Sequence, residues 1–222
     1  MEKYYQAYDK RYRQIHALNL QWSSDAVTPI LQELIVQLGV RKTDKILEIG
    51  CGEGSDALWL LEQGYSVLAT DVSNEAISYC KKKNPKFSHL FFQLDACEER
   101  LPQTFKFIYS VAVIHMLVNQ EDRNHFWTFI RNHLDEDGYG LILTMGDGEY
   151  EVTGDITKAF DNVNRTHQGT GQEVSIAATS CKMVNFATLE QEITGNGLHI
   201  LQKGITSIRP DFPQIMYALV KR

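Results

Sequence analysis

The chain has 222 residues, 43% of them hydrophobic and 23% charged, and a net charge of −6; this length suits one α/β domain with a sizeable core. The acidic balance, with no Lys/Arg stripe interleaved with aromatics, argues against a nucleic-acid partner. No apolar run reaches the ~18 residues of a membrane span, and Cys51, Cys80, Cys97 and Cys181 form no C-x-x-C pair, so the expected setting is the cytoplasm, away from membranes and disulfide frameworks.

In chain order, Tyr5, Tyr8 and Tyr12 recur at helical spacing and predict a short amphipathic helix. With Trp22 they make residues 1–24 either a packing segment or a lid whose rings exclude water. Val27, Ile30, Leu31, Leu34, Ile35 and Leu38 mark the next helix, with Pro29 in its first turn and Gly39 at its end. A buried strand is expected over 46–49, then a turn carrying Gly50, Gly52 and Gly54. Ser55 is placed to cap a helix over 56–63, which Gly64 closes. A second strand over 67–70 ends at Asp71.

Ser73 is expected to cap a helix running to about Lys83, where Lys81, Lys82 and Lys83 complement the helix dipole. Pro85 breaks it. Strands follow over 89–94 and 105–110, a helix over 122–134, a turn at Gly138 and a fifth strand over 139–145. Strands alternating with helices imply right-handed crossovers and a parallel sheet covered on both faces. Residues 146–182 are polar and glycine-bearing and read as a long loop. Thr188 to Gln191 read as a capping box for a helix over 189–194. Strands over 198–208 and 214–220, joined by residues 209–213, permit an antiparallel hairpin.

The chemistry concentrates between residues 45 and 71. A strand, a glycine turn, a helix and a second strand end in an acid, Asp71, 21 residues beyond Gly50, about where a carboxylate reaches ribose hydroxyls. That unit points to an adenosine-bearing cofactor. A dinucleotide favours G-x-G-x-x-G, and here the spacing is G-x-G-x-G-Ser; no G-x-x-x-x-G-K-[ST] loop occurs. The stretch Glu48-Ile-Gly-Cys-Gly-Glu-Gly54 resembles motif I of the class I S-adenosylmethionine (AdoMet)-dependent methyltransferases. The resemblance continues through Thr70-Asp-Val-Ser73, Gln93-Leu-Asp-Ala96 and Phe105 to Ser110, covering roughly residues 25–145. The middle of the chain looks most like the tellurite and thiopurine branch.

The resemblance implies a Rossmann-like, doubly wound, seven-stranded α/β sheet of order 3-2-1-4-5-7-6, with its last strand antiparallel and helices on both faces, in one domain over 1–222. It implies AdoMet as cofactor and S-adenosylhomocysteine (AdoHcy) as product. Glu48, Gly50, Cys51, Gly52 and Gly54 would border the methionyl and ribose parts. Asp71, beside Val72, would accept the ribose hydroxyls, Asp95 the adenine amino group, and the Ala96 amide would donate to a ring nitrogen; Ser110 completes the set.

His115 lies where the family often contacts the methionyl end or the acceptor, and a packing role is the alternative. Residues 1–24 and 146–182 would cover the site, with Tyr8, Tyr12, Trp22 and Tyr150 as lid or substrate residues; His167, Asp147, Glu149 and Glu151 are further candidates. No metal constellation stands out among the seven histidines. Residues 110–113 read Ser-Val-Ala-Val rather than Asn/Asp-Pro-Pro-Tyr/Phe, and no Pro-Cys dipeptide occurs. Together these features favour a small-molecule methyl acceptor and a monomer or homodimer. The alternatives are a silent AdoMet-binding module acting through a partner and an NAD-dependent oxidoreductase.

Overall fold

The computed structural model describes residues 3–208 and 211–222. A 3-10 turn over Tyr4–Gln6 leads into α1 (Ala7–Ala17), and α2 (Pro29–Gln37) starts with its proline in the first turn. Gly39, at φ +63°, releases the chain into β1 (Lys45–Ile49), buried at four of five positions. Gly50, Gly52 and Gly54 all adopt left-handed backbone, between +52° and +86°, which side chains rarely tolerate. α3 (Ser55–Glu62) follows at once. Gly54, not Ser55, holds the cap position, and the Ser55 hydroxyl donates to the Ser24 carbonyl at 3.1 Å.

β2 (Ser66–Asp71) is followed by α4 (Asn74–Lys83), whose Ser73 cap accepts from the Ala76 amide at 3.1 Å. Pro85–Leu90 form a 3-10 helix, so the third strand shrinks to β3 (Phe91–Gln93). β4 (Phe105–Val111) precedes α5 (Gln120–His133), which passes straight into β5 (Leu134–Thr144). No separate turn forms at Gly138. The register between β4 and β5 shifts instead between Phe105 and Phe107, where a side chain on Gly138 would come within 3.0 Å of the Phe105 carbonyl.

Residues 146–182 are a structured insertion, not the loop expected. β6 (Val152–Thr153) pairs with a strand at the far end of the insertion, and between them β7 (Asn162–Thr166) and β8 (Glu173–Ala177) form an antiparallel hairpin. Val174 and Ile176 alternate with exposed neighbours and bury against Ile15 of α1. After β9 (Lys182–Met183), which is the partner of β6, comes α6 (Phe186–Gly195). Its cap is Asn185, accepting from the Thr188 amide at 2.9 Å, three residues ahead of the expected Thr188. β10 (His199–Ile208) and β11 (Phe212–Lys221) close as an antiparallel hairpin; Arg209 and Pro210 of its connection lie outside the described residues.

The main sheet runs β3-β2-β1-β4-β5-β11-β10. Counted along this sheet alone, the order is the expected 3-2-1-4-5-7-6, and β11 is the strand that runs against its neighbours. One core fills each face. Leu31, Leu34, Leu60 and Ile77 pack on one side, and Phe126, Phe129, Ile130 and Leu189 on the other. The strand order reverses between β1 and β4. Ligand crevices open at such a switch point, beyond the carboxyl ends of the strands.

Candidate active site

A cavity of about 800 Å³ occupies that position. Its floor is the glycine turn, held to β2 because the Gly50 and Cys51 amides both donate to the Thr70 carbonyl at 2.7 and 2.8 Å. A side chain on Gly50 would strike Val113 at 2.1 Å, and one on Gly52 would meet the Tyr12 hydroxyl at 2.7 Å. The floor is therefore bare backbone by steric necessity.

Acids surround the floor. Asp71 accepts from the Gly52 and Ser73 amides, each at 2.8 Å, yet burial still pushes its pKa up to about 6. A carboxylate offers about four acceptor sites, so two remain for a diol. Asp95 accepts from the Tyr5 hydroxyl at 2.9 Å and the Cys97 amide at 3.0 Å, and burial raises its pKa. Glu48 is fully enclosed, with Oε2 unpartnered, and burial plus the nearby Asp56 charge push its pKa far up.

The roof is the N-terminal segment, held by polar contacts as well as by the burial of Tyr5 and Ile15. Glu53, inside the glycine turn, accepts from the Trp22 amide (2.8 Å), the Ser23 amide (2.7 Å) and the Ser23 hydroxyl (2.7 Å). The His16 ring bridges Glu53 at 3.0 Å and Glu75 at 2.8 Å, stacked on Tyr79. Burial opposes charge on His16, but the two carboxylates outweigh it and raise its pKa. Asp9 accepts from the Ser73 hydroxyl and the Glu75 amide. Arg11, also on α1, donates to the Ala177 and Ala178 carbonyls and the Thr179 hydroxyl of the insertion. α1 thus ties the glycine turn to the hairpin of β7 and β8. Sequence reasoning missed Asp9, Arg11 and Glu53; only Glu53 carried a signal, an acid inside a glycine turn.

Most of the expected site residues line this one cavity. From the sheet come Glu48, Gly50, Cys51, Gly52, Asp71 and Val72; Asp95, Ala96 and His115 follow, with Tyr8, Tyr12 and Trp22 from the roof. Three lie elsewhere. Gly54 caps α3 behind the turn, where a side chain would press on Cys80 and Phe91. Ser110 is fully buried within β4, its hydroxyl unpartnered. Tyr150 is 70% exposed on the surface. His167 does not line the cavity either; its ring contacts the Gln21 carbonyl at 2.6 Å and the Thr170 hydroxyl at 2.9 Å, pinning the hairpin to the roof. His115 is buried with Nδ1 unpartnered; burial, then the Arg123 and Arg11 charges, drop its pKa to about 3, so it is neutral. Among the described residues no group of three or more His, Cys, Asp or Glu side chains is placed to hold a metal ion, and no helix is long and apolar enough to cross a membrane.

Residues 46–138 match the family model described as a methyltransferase domain. That stretch of the chain is therefore similar to methyltransferase domains. The probable AdoMet-dependent methyltransferase TehB of Haemophilus influenzae (strain KW20 / Rd) is 28% identical over 103 residues, which is 45% of this chain and 35% of TehB. The chain thus matches about a third of that relative's length. Thiopurine S-methyltransferase of Pseudomonas fluorescens (strain Pf-5) is 22% identical over 199 residues, covering 82% of this chain and 84% of the enzyme. The CcbJ methyltransferase of Streptomyces caelestis superposes with a TM-score of 0.70 at 13% identity, over 96% of this chain and 98% of its own, a likeness of fold. AdoMet is the cofactor these similarities support, ahead of the NAD-dependent alternative.

Proposed function

We propose that this chain transfers the methyl group of AdoMet to a small-molecule acceptor inside the enclosed cavity. The observation that carries the reading is convergence: the bare glycine floor, Asp71 and Asp95 all meet in one space at the switch point of a methyltransferase domain. In this reading Asp71 takes the ribose hydroxyls with its two free acceptor positions. Asp95, which accepts from the Tyr5 hydroxyl, would take the adenine amino group. Glu48, with Oε2 unpartnered, would hold the ammonium, and that positive charge would favour its ionised form.

Methyl transfer from a sulfonium is an in-line displacement by a lone pair, so positioning carries most of the catalysis. The roof, with Tyr12 and Trp22, excludes water, and its rings attract the sulfonium charge. With a pKa near 3, His115 is a weak base. It acts by orienting a reactant that arrives with its lone pair already free. The enclosed cavity and small-molecule relatives such as thiopurine S-methyltransferase support a compact acceptor.

Calorimetry on metabolite-free protein with AdoMet, AdoHcy and NAD is the decisive test. Binding of the first two, together with methyl transfer to a member of a small-molecule panel, is the expected result. NAD binding without AdoMet binding would overturn the reading, and AdoMet binding with no turnover on any panel would leave a silent binding module acting through a partner.

A further inference from the structure

The cavity is electrically divided. Its acids Glu48, Asp56, Asp71 and Asp95 stand around the glycine floor. Asp211 also borders it, but its Oδ2 is engaged by the Ser24 amide and hydroxyl. Two guanidiniums face the other part of the cavity, Arg11 from α1 and Arg165 from β7. Arg11 is 6% exposed, sits over the Tyr8 and Trp22 rings at 4.9 and 4.7 Å, and spends Nε and Nη2 on carbonyls and a hydroxyl of the insertion. No carboxylate forms an ion pair with Arg11 among the described residues. Arg165 is exposed at the mouth, likewise without an ion pair, and close enough for its charge to act on Arg11.

A buried cation is costly unless an anion compensates it. Here Arg11 is buried with its Nε and Nη2 committed to the insertion, and Arg165 adds an exposed second charge to the same cavity lining. Arg presents planar paired donors that match a carboxylate. The rings of Tyr8 and Trp22 beside them offer an apolar surface for a flat body. Arg11 is also near enough to His115 to depress its pKa, which puts this cationic part next to the residue assigned to the reacting end.

We propose that Arg11 and Arg165 form an anion-recognition pair for the methyl acceptor, and that the acceptor is a small, flat, largely apolar molecule carrying a carboxylate. This rests on the methyltransferase reading above. It adds that specificity comes from charge as well as size, because a neutral analogue leaves the buried Arg11 charge without a compensating anion. The two arginines reach the cavity from different segments, α1 and the insertion, so the acceptor's carboxylate also bridges roof and hairpin.

The test uses benzoate and its neutral isostere benzamide, titrated into the full chain saturated with AdoHcy. Benzoate is expected to bind, and benzamide to bind at least about tenfold more weakly. Arg165→Gln, which removes an exposed side chain with no structural partner, should weaken benzoate by about tenfold and leave AdoHcy affinity unchanged. Equal affinity for the two probes, or no benzoate binding, overturns the proposal. So does an Arg165→Gln protein that binds AdoHcy more weakly but 5′-methylthioadenosine as before, because that assigns the cations to the cofactor's own carboxylate. Failure of AdoHcy to bind at all is a different result, and it overturns the reading underneath.

Discussion

The Trp22 amide donates to the Glu53 carboxylate at 2.8 Å, joining the roof of the cavity to the turn that forms its floor. Glu53 also takes the Ser23 amide and hydroxyl and one nitrogen of His16, and its side chain has no solvent exposure. One carboxylate therefore collects four donors from the roof. The floor cannot move without the roof following.

Glu53→Ala should accordingly loosen residues 3–24 before it unfolds anything else. Leaving several buried donors without a partner costs about 1–3 kcal/mol each at most, so the protein should stay folded with a clearly lowered melting temperature. Hydrogen exchange of the variant should show faster exchange in α1 and at residues 20–24, while β1 and β4 keep their protection. Uniform loss of protection across the sheet would mean that Glu53 supports the fold as a whole.

Asp71 makes cofactor affinity sensitive to pH. Its pKa in the folded protein lies near 6, raised from 3.8 by burial, so the protein without ligand starts to protonate it just below neutrality. A diol donates to the carboxylate form, so binding favours ionisation. AdoHcy affinity should fall as the pH drops through 6, the Asp71 contribution approaching about tenfold per unit with a proton released on binding. Titrations at pH 5.5 and 7.5 in buffers of different ionisation enthalpy would read both effects. Asp71→Asn should remove that part of the slope, leaving the contributions of Asp95 and Glu48. An unchanged slope in Asp71→Asn would move the titrating group elsewhere.

Removing the Asp71 carboxylate has two consequences that can be separated. Asp71→Ala deprives the ribose of a charged acceptor, which should weaken AdoMet by roughly 1.5–3 kcal/mol. It also frees the Gly52 and Ser73 amides, so the variant should melt earlier than a strand-tip acid with no partners would suggest. Full cofactor affinity in a folded Asp71→Ala protein would end the ribose assignment.

Gly52 is constrained twice. Its φ is +52°, and a Cβ would stand 2.7 Å from the Tyr12 hydroxyl. The backbone strain of a side chain there costs about 1–2 kcal/mol, small enough to leave the protein folded. Gly52→Val should therefore retain its circular dichroism spectrum while losing AdoMet binding in calorimetry. Normal binding would show that the turn does not touch the cofactor.

The central sheet and the glycine floor were legible because local chemistry dictates them. Alternating strand and helix periods, glycines at positive φ and an acid at a strand tip are all short-range signals. The misreadings have equally local reasons. Strand β4 is buried on both faces, so nothing in its sequence tells Ser110 apart from a residue facing the crevice. β7 has a single half-buried position, Val163, and its polar residues read as loop. The roof contacts were invisible for another reason. Arg11 meets Ala177 across 166 residues and Glu53 meets Trp22 across 31, and no periodicity records such a pairing.

The last prediction concerns closure. Between them, the cofactor motifs account for the floor and leave no side chain over for the acceptor, whereas residues 3–24 and 146–182 supply the roof and the cationic part. Residues 3–24 are held to the glycine turn and the sheet by Glu53 with Trp22 and Tyr5 with Asp95, and to the insertion by Arg11 with Ala177 and Gln21 with His167. Such contacts open at low cost compared with a packed core. Opening of the roof would widen the way into the 800 Å³ cavity. Hydrogen exchange with and without AdoHcy should show both segments gaining protection on binding, and gaining it together because α1 is bonded to each side. Protection of residues 3–24 alone would detach the insertion from the closure. Equal exchange in the two states would leave both segments as permanent walls of the cavity, and ligand entry would then have to be sought at the mouth beside Arg165.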